Sequence, residues 1–117
     1  MIKKLIICDD DADILEMLEM VLEDTPFEVV TETDSRKVLD RVLNLNPDLL
    51  LMDLWMPGLS GDQVLKRLRE DERTRETKVI IMSASRDGQS VAMAAGADGF
   101  IAKPFDIDAL VDKISLS

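Results

Sequence analysis

Several acids, two serines and one lysine of this chain fall at positions from which they could act together. The stretch LLLMDLWMPG ends an apolar run in a lone carboxylate, Asp53. Aspartate is a poor strand residue, and an ionised carboxylate is costly to bury without a partner, so either water or a cation reaches Asp53 or it is an accident at a strand's edge. Three other apolar runs also end in polar groups. KLIIC is followed by Asp9, Asp10 and Asp11, KVIIM by Ser83-Ala84-Ser85, and GFIA by Lys103-Pro104. Carboxylates brought close together repel one another, and a hard divalent cation with oxygen ligands relieves the repulsion. A cation beside a hydroxyl and an ammonium is a phosphoryl-binding set. Within such a set Asp53 could serve as a nucleophile, since carboxylates form acyl phosphates.

This grouping requires elements that deliver all four run ends to one place. The apolar runs alternate with helical patterns. Lys4–Cys8 reads as a buried strand, and the helical stretch ADILEMLEMVLED carries Ile14, Met17, Leu18, Val21 and Leu22 on one face until Thr25-Pro26 stops it. Phe27–Thr31 reads as a second strand. Asp34 is placed to cap a helix bearing Val38, Leu39, Val42 and Leu43, which Asn44 and Pro47 end. Leu49–Asp53 is the third strand. Ser60 and Gln63 have capping-box spacing ahead of Val64, Leu65 and Leu68. Lys78–Met82 is the fourth strand, an alanine-rich helix runs from about Asp87 to Ala95, and GFIA is the fifth strand. Asp106 then caps a last helix with Ile107, Leu110, Val111 and Ile114 on its inner face. Near-continuous apolar strands alternating with helices predict an α/β fold, a three-layer sandwich around a parallel sheet. In such sheets ligand sites form beyond the carboxyl ends of the strands, where these polar groups lie.

The bulk composition narrows the function classes. The chain has 117 residues, 46% of them hydrophobic, which suits one domain with one core. No apolar run approaches the roughly 20 residues of a membrane span, and the run in MIKKLIICDD is too short for a signal peptide, so a soluble cytoplasmic protein is expected. The single cysteine, Cys8, cannot form an internal disulfide and reads as a buried small hydrophobe. The net charge of −10 repels nucleic acid and anionic lipid. With no histidine, the chain can hold neither a Ser-His-Asp triad nor a His-based zinc site, and it cannot itself carry a phosphohistidine.

In the order and spacing of CDDDADIL, LLLMDLWMPGLSG, MSAS and GADGFIAKPFD, the chain resembles the receiver domains of two-component response regulators, the family that includes chemotaxis regulators. The resemblance covers about Lys3 to Ile114. It implies a flavodoxin-like sheet of five parallel strands in the order 2-1-3-4-5 with five helices, as a single receiver domain over residues 1–117. It implies Asp53 as the phosphoacceptor, with Mg²⁺ held by Asp9, Asp10, Asp53 and the backbone carbonyl of Trp55. Ser83 matches the hydroxyl that meets the phosphoryl group and shifts on activation, Lys103 the lysine that pairs with a phosphoryl oxygen, and Phe100 the aromatic switch position. The Lys103–Pro104 bond is expected to be cis. The implied partners are a sensor histidine kinase or phosphotransfer protein as donor and an output partner or fused effector domain. The resemblance also allows a phosphorylation-dependent dimer. Direct nucleic-acid binding, membrane association and turnover of an outside substrate are not expected. Stand-alone use and fusion to an effector fit the sequence alike.

Two positions depart from the common family pattern. The switch aromatic is Phe100 rather than Tyr, and a bulky Trp55 borders the approach of water to the acyl phosphate together with Ser85. Each residue also has an ordinary reading. The aspartates after the first strand could simply complement a helix dipole, as Asp11 is expected to do. Lys103 could be a solvated lysine. Met17, Met52 and Met82 read as core filler, Met56 as a loop residue open to solvent, and Lys66, Arg67, Arg69 and Arg73 as a solvated face. Two rival functions share elements of the pattern. A flavodoxin-like cofactor binder would need a first loop that accepts phosphate, which DDDAD repels, and 3% aromatic content offers little to stack a flavin. A phosphatase of the haloacid dehalogenase type needs an acid two residues after its nucleophile, where this chain has Trp55.

Overall fold

The computed structural model describes residues 3–116; Met1, Ile2 and Ser117, which the expected 1–117 domain and the signal-peptide reading include, lie outside the described residues. Five strands and five helices alternate: β1 (Lys3–Cys8), α1 (Ala12–Val21), β2 (Phe27–Glu32), α2 (Val38–Leu45), β3 (Leu49–Asp53), α3 (Gly61–Glu70), β4 (Val79–Ser83), α4 (Gly88–Ala94), β5 (Gly99–Ala102) and α5 (Ile107–Ser115). The strands form one parallel sheet in the order β2-β1-β3-β4-β5. Every residue of β3 and β4 is buried, because helices cover both sheet faces and the central strands have no solvent side.

Alternate residues of the central strands feed two cores. Ile6, Leu50, Met52 and Ile81 pack with α2, α3 and α4, whereas Leu5, Leu49, Leu51, Ile80 and Met82 pack with α1 and α5. The sequence identifies most helices by their ends. Asp11 caps α1 by accepting from the Asp13 and Ile14 N–H groups, and Asp106 caps α5 by accepting from that of Asp108. At the start of α3 the Gln63 side chain accepts from the Ser60 N–H at 3.0 Å, and the Ser60 hydroxyl donates to Asp62.

Several local expectations change in three dimensions. Asp34 caps a single 3₁₀ turn, Ser35–Lys37, and α2 begins only at Val38. That helix runs past Asn44 to Leu45 and is capped by Asn46, which takes the left-handed conformation (φ 46°) that asparagine tolerates. On α1 the buried residues are Leu15 and Leu18, and Met17 lies only at the margin of the core. Ile107, expected inside, is 40% exposed, because Leu110 and Ile114 already fill the α5 face that meets the sheet. The fourth strand is shifted by one residue. Ser83 is its last member, paired with Ala102, and Lys78 precedes it. Arg69 is not on a solvated face but reaches across to the α4–β5 turn.

Candidate functional site

The parallel register sets the site at the carboxyl edge of the sheet. Asp53 is the last residue of β3, beside Met82, and Ser83 follows at the end of β4. Asp9 continues directly from β1, its N–H donating to the Glu32 carbonyl at 3.2 Å. Lys103 follows β5, its N–H donating to the Ser83 carbonyl at 2.9 Å, and it is joined to Pro104 by a cis peptide bond.

The side chains converge. Lys103 Nζ lies 2.8 Å from Asp9 Oδ2 and 3.0 Å from Asp53 Oδ1, so one ammonium bridges two carboxylates. Asp9 is 1% exposed and Asp53 8%. The second Asp9 oxygen accepts from the Asp11 N–H at 3.0 Å, which fixes the carboxylate against the start of α1. Asp10 stands beside them and is exposed. Oxygens of Asp9, Asp10 and Asp53 lie within 4.8 Å of one another.

Burial pushes the Asp53 carboxyl above its ordinary value, Lys103 pulls it back, and Asp9 and Asp10 add to the rise. Like-charge repulsion is thus a smaller cause than desolvation. Burial alone would lower the Lys103 ammonium, but its bonds to Asp9 and Asp53 outweigh that and hold it above the usual lysine value. The buried Cys8 thiol, beneath the site, is pushed up to about 12 by burial and by the surrounding acids, so it stays protonated. Its Sγ lies 3.6 Å from Met56 Sδ, and Met56 is buried rather than open to solvent.

The donor set suits a hard divalent cation. Three carboxylates offer oxygens at mutual distances that one ion can span. The carboxylates also surround one residue, Asp53, that combines burial with a raised proton affinity.

A chain of hydrogen bonds around Trp55 was not legible in the sequence. The indole Nε1–H donates to Ser85 Oγ at 3.0 Å, and Ser85 Oγ lies 2.9 Å from Ser83 Oγ. The large indole spans the gap to the short Ser85 side chain. Phe100, on β5, is partly buried against the core on the α4 side. Among the described residues no helix is long and apolar enough to cross a membrane.

A family model described as "Response regulator receiver domain" matches residues 5–115. The chain is 32% identical over 114 residues to the phosphate regulon transcriptional regulatory protein PhoB of Pseudomonas aeruginosa, covering 96% of this chain and 50% of that protein. It is 34% identical over 114 residues to the DNA-binding response regulator MtrA of Mycobacterium tuberculosis, covering 96% of this chain and 49% of the relative. The chain therefore spans about half the length of these curated relatives. A crystal structure of a CheY-like response regulator receiver domain protein from Methanospirillum hungatei superimposes with a TM-score of 0.89 at 27% identity, covering 99% of this chain and 93% of that one. With the 2-1-3-4-5 sheet and the acidic cluster at its carboxyl edge, these matches place the chain in the family of response regulator receiver domains.

Proposed function

We propose that the chain, as one receiver domain over residues 1–117, accepts a phosphoryl group on Asp53 from the phosphohistidine of a sensor histidine kinase or phosphotransfer protein. The observation that carries this reading is the Lys103 ammonium bridging Asp9 and Asp53 within the acidic cluster. Of the three clustered carboxylates, Asp9, Asp10 and Asp53, Asp53 is the one that ends a sheet strand.

In the reaction an Asp53 carboxylate oxygen forms a bond to phosphorus. The P–N bond to the donor imidazole breaks, its electron pair leaves with that nitrogen, and the imidazole takes a proton from water. Lys103 stays near Asp53 and pairs with a phosphoryl oxygen, while the Ser83 hydroxyl donates to another. Asp9, Asp10, Asp53 and the Trp55 carbonyl would hold Mg²⁺, which when bound screens the negative charge of the carboxylates from that of the phosphoryl group. The Asp11 N–H holds the Asp9 carboxylate in place.

Phosphorylation adds about −1.5 to −2 charge at this edge. Ser83 moves toward it, Phe100 turns into the space released, and the face made by α4, β5 and α5 changes to control an output partner or a fused effector. The same face could support a phosphorylation-dependent dimer. DNA binding belongs to relatives such as MtrA and is not assigned to this chain, whose charge of −10 opposes it. The chain catalyses only its own phosphorylation and dephosphorylation, in the cytoplasm.

Intact-mass analysis after incubation with acetyl phosphate and Mg²⁺ should show one added phosphoryl group. Omitting Mg²⁺ should suppress it, and Asp53→Asn should abolish it. Labelling of Asp53→Asn to the wild-type extent would refute the assignment.

A further inference from the structure

Trp55 is 50% exposed, yet its one polar atom is committed to a protein partner. The indole N–H can only donate, and it donates to Ser85 Oγ at 3.0 Å. Ser85 Oγ lies 2.9 Å from Ser83 Oγ, a pair in which either oxygen could be the donor. The Ser85 backbone N–H also donates to Ser83 Oγ at 3.1 Å. The three side chains therefore form a linear series that runs from the protein surface to the end of β4, beside Asp53.

Each hydroxyl has one hydrogen and two lone pairs, so the series has two possible directions. If Ser83 donates to Ser85, its only hydrogen is used within the series and none remains for a phosphoryl oxygen. If Ser85 donates to Ser83, all the hydrogens run the same way, and the Ser83 hydrogen is left to point outward. A hydroxyl that accepts a bond becomes a better donor, so the indole N–H biases Ser85 towards donating to Ser83. Ser83, which accepts from the Ser85 backbone N–H, is in turn made a better donor, so its hydrogen goes to the stronger acceptor, an anionic phosphoryl oxygen when one is present.

The pair is also confined sterically. A Cβ placed on Gly88, the first residue of α4, would lie 2.8 Å from both Ser83 Cβ and Ser83 Oγ and 3.0 Å from Ser85 Oγ. Only glycine lets the helix close down on the two hydroxyls, which leaves them little room to separate.

We infer that Trp55, acting through Ser85, sets the direction of the Ser83 hydroxyl so that its hydrogen is offered to a phosphoryl oxygen on Asp53. Trp55 and Ser85 are positioning residues in this scheme, and only Ser83 touches the phosphoryl group. The inference rests on the proposed phosphoacceptor role of Asp53.

The test measures beryllofluoride binding in the presence of Mg²⁺ by calorimetry on the whole chain. Trp55→Phe keeps an aromatic ring and removes the N–H; Ser85→Ala removes the relay oxygen. Each should weaken binding about 3- to 10-fold, as expected for loss of one hydrogen bond's net contribution. The double variant should be no weaker than Ser85→Ala alone, and Ser85→Thr, which keeps the hydroxyl, should bind like wild type. In a Ser83→Ala background, Trp55→Phe should have no effect, an outcome that a merely structural role for the indole would not produce. Wild-type affinity in Trp55→Phe, or an undiminished effect in the Ser83→Ala background, overturns the relay while leaving the phosphoacceptor role intact. A wild-type chain that binds no beryllofluoride overturns that role and the relay together.

Discussion

At the residue scale, Asp53 is held in a state that disfavours its own charge. Burial is the largest cause, Lys103 offsets part of it, and Asp9 and Asp10 add to it. A carboxyl whose folded-state value is raised is ionised more readily in the unfolded chain. Its contribution to stability therefore falls as pH rises from the unfolded value of 3.8 through the higher folded one. Lys103 has the opposite sense. Its raised value adds stability that is present below 10.5 and is lost as pH rises through its folded value. Because the Asp53 shift is upward even with Lys103 in place, Asp53→Asn should raise the melting temperature at pH 7. The gain should shrink as pH is lowered towards 3.8, where the wild-type carboxyl is also becoming neutral in both states. Thermal unfolding monitored by circular dichroism across this range checks both points; a lower melting temperature for Asp53→Asn at pH 7 would show that the Lys103 pairing dominates.

At the element scale, one arginine ties together three pieces of chain that meet below the site. Arg69, near the end of α3, donates to the carbonyls of Gly96 at 3.0 Å, Arg75 at 3.0 Å and Thr77 at 2.7 Å, and to Asp98 Oδ2 at 2.9 Å. Asp98 Oδ2 also accepts from the Val79 N–H at 2.8 Å, at the start of β4. Gly96 takes a positive φ of 102° at the end of α4, with Arg69 packed against it. The guanidinium fork thus joins the end of α3, the segment entering β4 and the α4–β5 turn. Hydrogen bonds to charged groups contribute about 1.5–3 kcal/mol, and Arg69 is only partly exposed, so Arg69→Ala should destabilise the chain by about 2–3 kcal/mol. Arg69→Lys should recover little, since a single ammonium cannot serve this fork of acceptors. Urea unfolding curves measure both; a loss below about 0.5 kcal/mol would show that the clamp is dispensable.

At the scale of the whole molecule, two helices on the same face of the sheet, α3 and α4, are unequally anchored. On α3, Val64, Leu65 and Leu68 are all buried, whereas α4 spans only seven residues and buries Gly88 and Ala92 within them. A helix with such small anchors gives up little apolar contact when it moves. It also begins at Gly88, directly on the Ser83–Ser85 pair, so a displacement of Ser83 is felt there first. Hydrogen exchange with and without beryllofluoride and Mg²⁺ should therefore change most in residues 84–105 and least in β1, β3 and α3. Unchanged exchange throughout 84–105 on binding would refute a switch through α4 and β5.

The sequence by itself determined the elements and their order, because burial on both sheet faces demands long apolar strands such as Leu49–Asp53 and Val79–Ser83, and because Asp11, Ser60 and Asp106 mark helix starts by the donors that they satisfy. It also gathered Asp9, Asp10, Asp53, Ser83 and Lys103 at one sheet edge, since polar groups ending parallel strands can lie nowhere else. What only the tertiary structure decided were contacts between residues distant in sequence. Lys103 bridges Asp9 and Asp53, Trp55 reaches Ser85, Met56 turns inward onto Cys8, and Arg69 leaves the surface for the α4–β5 turn. Each depends on the distance and direction between two side chains on different elements. Hydrophobic periodicity encodes which face of an element is buried, but not which partner a long side chain meets across the gap.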